Sequence, residues 1–203
     1  MKKRVFILLV ILIVFNFNVS LLREKQKTQE AKKGVEEEVK RMDAWQQYAA
    51  PGQAHKRFER MVGTWTATIK MWSKAYPETF ISKGVAKNEL IMEGRYLKVS
   101  FEGIFEDVKF EGIGISGYDN IKKRYFSLWI DNMGTGYYLV EGKCEENVCN
   151  YYGTAIDPEH KSEYKTHEVH NFIDDSRWVN EVYQVNSLGE EFKAMEITYT
   201  RVE

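Results

Sequence analysis

From residue 63 to residue 202 the chain alternates apolar and polar residues in ten short runs. An alternation with a period of two places successive side chains on opposite faces of a β-strand. Residues with turn chemistry, mainly Gly, Asn, Asp and Pro, separate the runs. We therefore predict ten strands, at Gly63–Ser73, Phe80–Met92, Arg95–Phe105, Val108–Tyr118, Arg124–Asn132, Tyr137–Lys143, Cys149–Ile156, Glu163–Ile173, Arg177–Asn186 and Glu191–Val202.

Ten strands joined by short turns form an antiparallel meander, which removes its two exposed edges by closing on itself. The predicted fold is therefore all-β, an up-and-down barrel of about ten strands whose alternate side chains line an interior. A short helix at Gln53–Met61 directly precedes the first strand and is predicted to plug one end. A barrel of this size has room for side chains and one small ligand.

The first and last strands carry a recognisable pair of residues. Gly63-Thr64-Trp65 opens the first strand, and Arg201 lies on the last strand. This arrangement resembles the calycins, the group of lipocalins and fatty-acid-binding proteins. The resemblance implies that Trp65 seals the closed end of the barrel and that Arg201 packs over its indole ring.

Longer motifs show a closer resemblance, which covers most of residues 43–203. They are Trp45–Lys56, Gly63-Thr64-Trp65, Asn88–Leu97, Phe110–Asn120, Trp129–Gly136 and Glu191–Arg201. These segments are similar to a bacterial family of proteins of unknown function, the family numbered 1579. The resemblance implies a calycin-like fold and no established activity.

The N-terminus, residues 1–22, has the composition of a signal peptide or a membrane anchor. Three basic residues at positions 2–4 precede an unbroken apolar run, Val5–Phe15. At about 1.5 Å per residue, Val5–Leu22 would reach roughly 27 Å and just span a bilayer. A buried core helix is the alternative, but the basic residues before the run and the polar tract after it favour export.

Residues 23–42 form a charged segment without any aromatic, Leu or Ile residue. Such a segment cannot bury a large apolar face, so we predict a linker or a solvated helix. A partner-binding arm is the functional alternative. The barrel domain is predicted to span residues 43–203.

The two cysteines, Cys144 and Cys149, flank a four-residue turn between two predicted strands. In an oxidising compartment they could close a disulfide across the hairpin. The alternative is half of a C-x4-C metal site, for which the sequence offers no second pair of thiols. A disulfide would agree with export to the cell envelope.

Alternation also selects candidate residues for a ligand cavity. The predicted lining residues are Met71, Trp129, Asp131, Tyr183, Met195 and Tyr199. A carboxylate such as Asp131 could bind the polar group of a ligand. It could equally cap the Gly-Thr-Gly turn that follows the strand. No metal or cofactor is predicted.

His167 and His170 suggest a metal or haem site, but residues three apart in a strand point to opposite faces and cannot bind one ion. A single inward His170 could still bind haem. The chain has no nucleophile elbow, no P-loop and a net charge of −1. Enzyme activity is therefore not predicted, and nucleic acid is not an expected partner.

The sequence thus predicts an exported, extracytoplasmic binding protein that holds a small apolar or amphipathic molecule in its barrel. An N-terminal segment would attach it to the membrane, or would be cleaved to release it into the periplasm or medium. Two alternatives remain: an interaction or structural protein of the envelope whose barrel is filled by its own side chains, and a haem-binding barrel that uses His170.

Overall fold

The computed structural model describes residues 2–73, 79–186 and 188–202, with side chains from residue 23 onward. It divides into two compact units, Met1–Ala49 and Ala50–Glu203. The compact unit that holds the barrel therefore begins at Ala50 rather than at Asp43.

The first unit is one helix, α1 (Lys2–Ala49). Its side chains from residue 23 onward are exposed, and pairs such as Glu36–Lys40, at 3.1 Å, support it across single turns. The charged segment 23–42 is thus part of a solvated helix. The side chains of the hydrophobic segment in residues 1–22 lie outside the described part of the structure. Where side chains are described, no helix is apolar and long enough to cross a membrane.

The second unit is a closed antiparallel barrel of ten strands in sequence order, in which β1 pairs with both β2 and β10. A short helix, α2 (Gln53–Lys56), and a 3₁₀ helix (Arg57–Met61) precede it. The strands are β1 (Gly63–Met71), β2 (Phe80–Ile91), β3 (Tyr96–Phe105), β4 (Val108–Asp119), β5 (Arg124–Asp131), β6 (Tyr138–Glu145), β7 (Val148–Asp157), β8 (Ser162–Phe172), β9 (Arg177–Val185) and β10 (Glu191–Arg201). The predicted fold is confirmed.

The plug segment, which we define as Gln53–Met61, packs its apolar side chains against the interior of the barrel. Phe58 and Met61 are buried. The Phe58 ring meets the Tyr125 ring edge-on, with 6.0 Å between centroids. Burial of these side chains stabilises the plug by roughly 1.5–3 kcal/mol per residue. We call this end of the barrel the plug end and the opposite end the far end.

Arg201 joins the last strand, the first strand and the plug segment. Its guanidinium carbon lies 4.2 Å from the ring centroid of Trp65, which is 1% exposed. The same guanidinium donates hydrogen bonds to the carbonyl oxygens of Val62 and Arg60, both at 2.7 Å. The Trp65 indole donates to the carbonyl of Met61 at 2.8 Å. Arg201 therefore satisfies backbone groups at the end of the plug while it covers the indole face.

We expect Arg201→Ala to lower the free energy of unfolding by about 2–4 kcal/mol, because it removes a cation–π contact and leaves two carbonyl groups without their donor. Urea denaturation followed by circular dichroism measures the change. Arg177→Ala, an exposed arginine on β9, is the matched control and should change stability by less than about 0.5 kcal/mol. Equal effects of the two substitutions would contradict this role for Arg201.

His55 holds the start of the plug segment in its neutral form. Its Nδ1 accepts a hydrogen bond from the Gly52 N–H at 3.0 Å, and its ring meets the Tyr118 ring edge-on at 5.7 Å. Burial lowers the pKa of His55 below its ordinary value of 6.5, although a hydrogen bond to the Tyr118 backbone partly opposes the shift. The folded protein therefore favours the uncharged imidazole.

This lowered pKa predicts a loss of stability in mild acid. Above pH 6.5 both folded and unfolded states hold a neutral His55, so there is no penalty. As the pH falls below 6.5, the unfolded state binds a proton first, and stability decreases until the folded-state pKa is reached. The free energy of unfolding should thus fall more steeply between pH 7 and pH 5 in the native protein than in His55→Gln. Parallel curves for the two proteins would contradict the prediction.

Candidate functional site

One wall of the barrel interior is aromatic. Phe101, Phe110 and Trp129 lie on the inward faces of β3, β4 and β5. The Phe110 and Trp129 rings stack with 6.4 Å between centroids, and Phe101 meets Phe110 edge-on at 5.7 Å. The three rings form a continuous apolar surface inside the barrel, which we call the aromatic wall.

Glycines beneath the aromatic wall let its rings lie close to the sheet. A Cβ atom at Gly112 would overlap the six-membered ring of Trp129, and one at Gly84 would overlap the Phe101 ring. Both glycines are inward-facing positions where any other residue would push the ring toward the barrel axis. These two glycines therefore let the rings lie against the sheet and away from the barrel axis.

The wall formed by β6, β8 and β9 carries hydrogen-bonding side chains. We define the polar cluster as the inward-facing residues Tyr138, Thr166, Glu168, His170 and Asn180. Glu168 is 7% exposed and lies 3.1 Å from His170 Nε2. The Asn180 amide donates to the same carboxylate oxygen at 3.4 Å, and the Tyr138 hydroxyl lies 2.7 Å from Thr166 Oγ1. A buried carboxylate is costly unless such partners surround it.

The Glu168 carboxylate acts electrostatically on three buried tyrosine side chains. Burial raises the pKa of Tyr138 and of Tyr199, and the nearby Glu168 charge raises both pKa values further. Burial likewise raises the pKa of Tyr151, with smaller contributions from Tyr125 and Glu168. The phenols stay neutral at ordinary pH, so they can donate hydrogen bonds.

Arg57 Nε and Asn88 Oδ1 are buried without a hydrogen-bond partner among the described residues. Two further such atoms lie on β9, one in the polar cluster and one beside it. They are the indole Nε1 of Trp178 and the amide Oδ1 of Asn180. Trp178 is held between other rings, since it stacks on Tyr199 with 3.9 Å between centroids and lies 5.6 Å from the His170 ring. A buried polar group without a partner costs roughly 1–3 kcal/mol. Such groups mark a place for water or for the polar end of a ligand.

Solvent still reaches parts of this interior. The side chains of Glu168 and His170 remain 9% and 13% exposed. Along the same wall the inward-facing residues Asn180, Val182 and Ile197 are half-buried rather than buried. The polar cluster is therefore not sealed inside a solid core.

The structure places five of the six predicted lining residues on the inward face of the barrel. Met71 and Met195 are paired across β1 and β10, and Tyr199 faces Ala67. Trp129 and Asp131 lie on β5 opposite Gly114 and Gly112. The inward face thus matches the alternation for β1, β5 and β10.

Tyr183, the sixth residue, lies on the outer face of β9 and does not line the interior. It pairs with His167, and the two rings stack at 5.8 Å. Tyr152 stacks on the other side of His167 at 4.6 Å. Both faces of β9 carry aromatic residues, Trp178 inside and Tyr183 outside, so an aromatic side chain alone does not identify the inward face.

Asp131 acts as a structural residue in this geometry. One carboxylate oxygen accepts the indole N–H of Trp129 at 2.8 Å, and the other accepts the backbone N–H of Met133 at 2.9 Å. The first bond fixes Trp129 in the aromatic wall, and the second caps the turn after β5. The capping interpretation therefore accounts for Asp131 without a ligand.

Cys144 and Cys149 form a disulfide between directly paired positions of β6 and β7. The disulfide lines a cavity of about 20 Å³ beneath the plug segment, together with Arg57, Tyr151 and His170. A space of this size holds about one water molecule. Among the described residues no group of three or more His, Cys, Asp or Glu side chains could hold a metal ion.

His170 is inward-facing, but its surroundings differ from those of a haem ligand. Its Nε2 is engaged with Glu168, and its ring lies 4.8 Å from the Tyr151 ring and 5.6 Å from the Trp178 ring. A haem would have to displace both the carboxylate and the flanking rings. The geometry favours a hydrogen-bonding role for His170 over ligation of iron.

The sequence analysis did not select Glu168, Trp178 or Asn180. The only available indication was their spacing, because Glu168 and His170 are two residues apart, as are Trp178 and Asn180. Residues at that spacing share one face of a strand. The pairing of β8 with β9, which brings the two faces together, emerges only from the structure.

We expect Gly112→Ala to destabilise the protein by about 1–3 kcal/mol, as overpacking does in other cores. The added methyl group would overlap Trp129, which cannot move easily because Asp131 and Phe110 hold it. Gly134→Ala, where no atom lies within 4 Å of the added carbon, serves as the control. Thermal unfolding compares the two, and a Gly112→Ala variant as stable as Gly134→Ala would disprove the tight packing.

Two solved structures are among those similar to this chain. The crystal structure of Rv2717c from M. tuberculosis is similar, with 8% identity and a TM-score of 0.52 over 76% of this chain and 100% of that chain. A redesigned β-barrel, b11L5F_LGL, shows 14% identity and a TM-score of 0.36 over 72% of this chain and 95% of that chain. No curated protein matches the chain. At this identity the likeness to Rv2717c concerns the fold alone.

A family model matches residues 50–201, which is nearly the whole barrel unit. The model is described as "Protein of unknown function (DUF1579)". The match begins at the residue where the barrel unit begins and ends at Arg201, the residue that closes the plug end. The chain belongs to this family of unknown function.

Proposed function

We propose that this protein binds a small amphipathic molecule inside its barrel. The observation that carries the proposal is the division of the interior into an aromatic wall and a polar cluster, with two of the four unpartnered buried polar atoms of the described residues on β9. Ligand sites in proteins are mostly apolar, with a few polar groups that fix orientation. The polar cluster would bind the polar end of the ligand, and the aromatic wall would contact its apolar body.

In this proposal the ligand enters at the far end of the barrel. Met71 and Met195, paired across β1 and β10, are half-buried there. Methionine side chains are flexible and adapt to ligands of irregular shape. They would move aside as the ligand enters, since the cavity of about 20 Å³ near the plug end holds only a water molecule.

The proposal places the protein on the outer side of a cytoplasmic membrane. The basic residues at positions 2–4 and the apolar segment Val5–Leu22 favour export. The disulfide between Cys144 and Cys149 supports the same location, because such bonds persist in oxidising compartments.

A second candidate is an interaction or structural protein of the envelope with a filled barrel. It is favoured by the aromatic wall and by the small size of the cavity beneath the plug segment. In that case the exposed side chains of α1 from residue 23 onward would carry the function.

Native mass spectrometry of the full chain tests ligand binding. The protein would be extracted in mild detergent and measured before and after denaturing delipidation and refolding. We expect an added mass that delipidation removes. Val182→Trp, which fills the interior, should abolish the added mass, whereas Val179→Trp on the outer face of the same strand should retain it. A bare polypeptide mass in every sample would favour the filled barrel.

Thiol labelling tests the location. When cells are lysed in the presence of an alkylating reagent, the native protein should gain no label, because both cysteines are joined in the disulfide. After reduction it should gain two labels, one on Cys144 and one on Cys149. Intact mass measures both. Two labels without reduction would contradict an oxidising compartment.

A further inference from the structure

The two unpartnered atoms on β9 have opposite hydrogen-bonding characters. Trp178 Nε1 is a donor only, and Asn180 Oδ1 is an acceptor. They belong to inward-facing residues two positions apart on β9, roughly 7 Å along the strand. A contiguous set of contacts joins them, since the Trp178 ring lies 5.6 Å from the His170 ring, and Glu168 lies 3.1 Å from His170 Nε2 and 3.4 Å from the Asn180 amide.

A group that satisfies both atoms must accept one hydrogen bond and donate another. A hydroxyl does both, whereas a carboxylate cannot donate and an ammonium group cannot accept. A water molecule would also satisfy the pair. An alcohol would displace that water, reproduce its hydrogen bonds and add apolar contacts with the aromatic wall.

Charged groups of both signs lie near this position. Glu168 is a buried carboxylate, and its charge is felt by Tyr138 and Tyr199. His170 Nε2 lies 3.1 Å from that carboxylate, and Arg57, a residue of the plug segment, lies near Tyr151. Even with the charges balanced, a carboxylate ligand would leave Asn180 Oδ1 without a donor.

We infer that the barrel selects amphiphiles whose polar end is a neutral hydroxyl and rejects the corresponding carboxylates. The hydroxyl accepts from Trp178 Nε1 and donates to Asn180 Oδ1, while the alkyl part lies along the aromatic wall. This inference rests on the proposed function and adds the chemical class of the ligand. Sites built to bond a hydroxyl discriminate strongly against analogues that lack it.

The test compares octan-1-ol with octanoate at pH 7.5 by isothermal titration calorimetry. The full chain would be delipidated and refolded into an amphipathic polymer. We expect octan-1-ol to bind at least about tenfold more tightly than octanoate. Asn180→Ala should weaken octan-1-ol binding severalfold and remove the penalty on octanoate, so that the ratio of the octanoate Kd to the octan-1-ol Kd falls.

Substitution of the buried carboxylate separates charge from packing. Glu168→Gln should tighten octanoate binding. The ratio of the octanoate Kd to the octan-1-ol Kd should therefore fall. Glu163→Gln, on the exposed outer face of the same strand, is the matched control and should leave the ratio unchanged. Circular dichroism would establish that each variant is folded before titration.

The possible outcomes distinguish the inference from the proposed function. Octanoate binding that equals or exceeds octan-1-ol binding would overturn the selection for a hydroxyl and keep the amphiphile-binding function. Binding of neither ligand by the native protein would overturn both. An octan-1-ol preference that survives Asn180→Ala unchanged would overturn the assignment of the site to Trp178 and Asn180.

Discussion

The contact of Arg201 with Trp65 is the interaction on which the rest of the structure depends. A closed barrel must join its first and last strands, and the interior must be covered at one end if polar groups are to be buried there. Arg201 meets both needs, because it lies on β10, covers the indole ring of β1 and bonds the carbonyl groups that end the plug segment. A guanidinium suits this position since it offers several donors in a fixed plane and also stacks on an aromatic face.

Closure of the plug end gives the polar cluster its chemical character. Glu168 lies where few water molecules can solvate it, so its partners His170 and Asn180 must supply hydrogen bonds. A barrel selected only for stability would place apolar residues at these positions, because buried ionic groups seldom add stability. The proposed ligand binding would account for a polar wall that keeps unpartnered atoms.

The alternation was sufficient to predict the ten strands and their closure into a barrel, whereas the expected contact of Arg201 with Trp65 came from the resemblance to the calycins. Alternation with a period of two fixes which residues share a face, and turn residues fix where strands end. Alternation does not fix which face is inward when both faces carry aromatic residues. That is why Tyr183 was placed in the lining, although it stacks on His167 outside the barrel.

The polar cluster was not predictable for a different reason. Its members come from β6, β8 and β9, and their contacts depend on register rather than on local pattern. A glutamate in a strand is usually an exposed residue, and the spacing that puts His170 on the same face as Glu168 does not indicate that Asn180 on β9 lies beside them. The start of the barrel unit at Ala50 likewise depended on how far α1 extends, which the charged segment alone does not determine.

The most direct test of this account is the indole region of an NMR spectrum of the ¹⁵N-labelled full chain, recorded with and without octan-1-ol. Trp178 Nε1 has no partner in the part of the chain that the structure describes, whereas Trp65 Nε1 donates to the Met61 carbonyl at 2.8 Å, so Trp65 is an internal control. We predict that the Trp178 indole proton moves downfield as the alcohol binds and that the Trp65 proton stays in place. An unchanged Trp178 resonance in a sample saturated with bound alcohol would contradict the account.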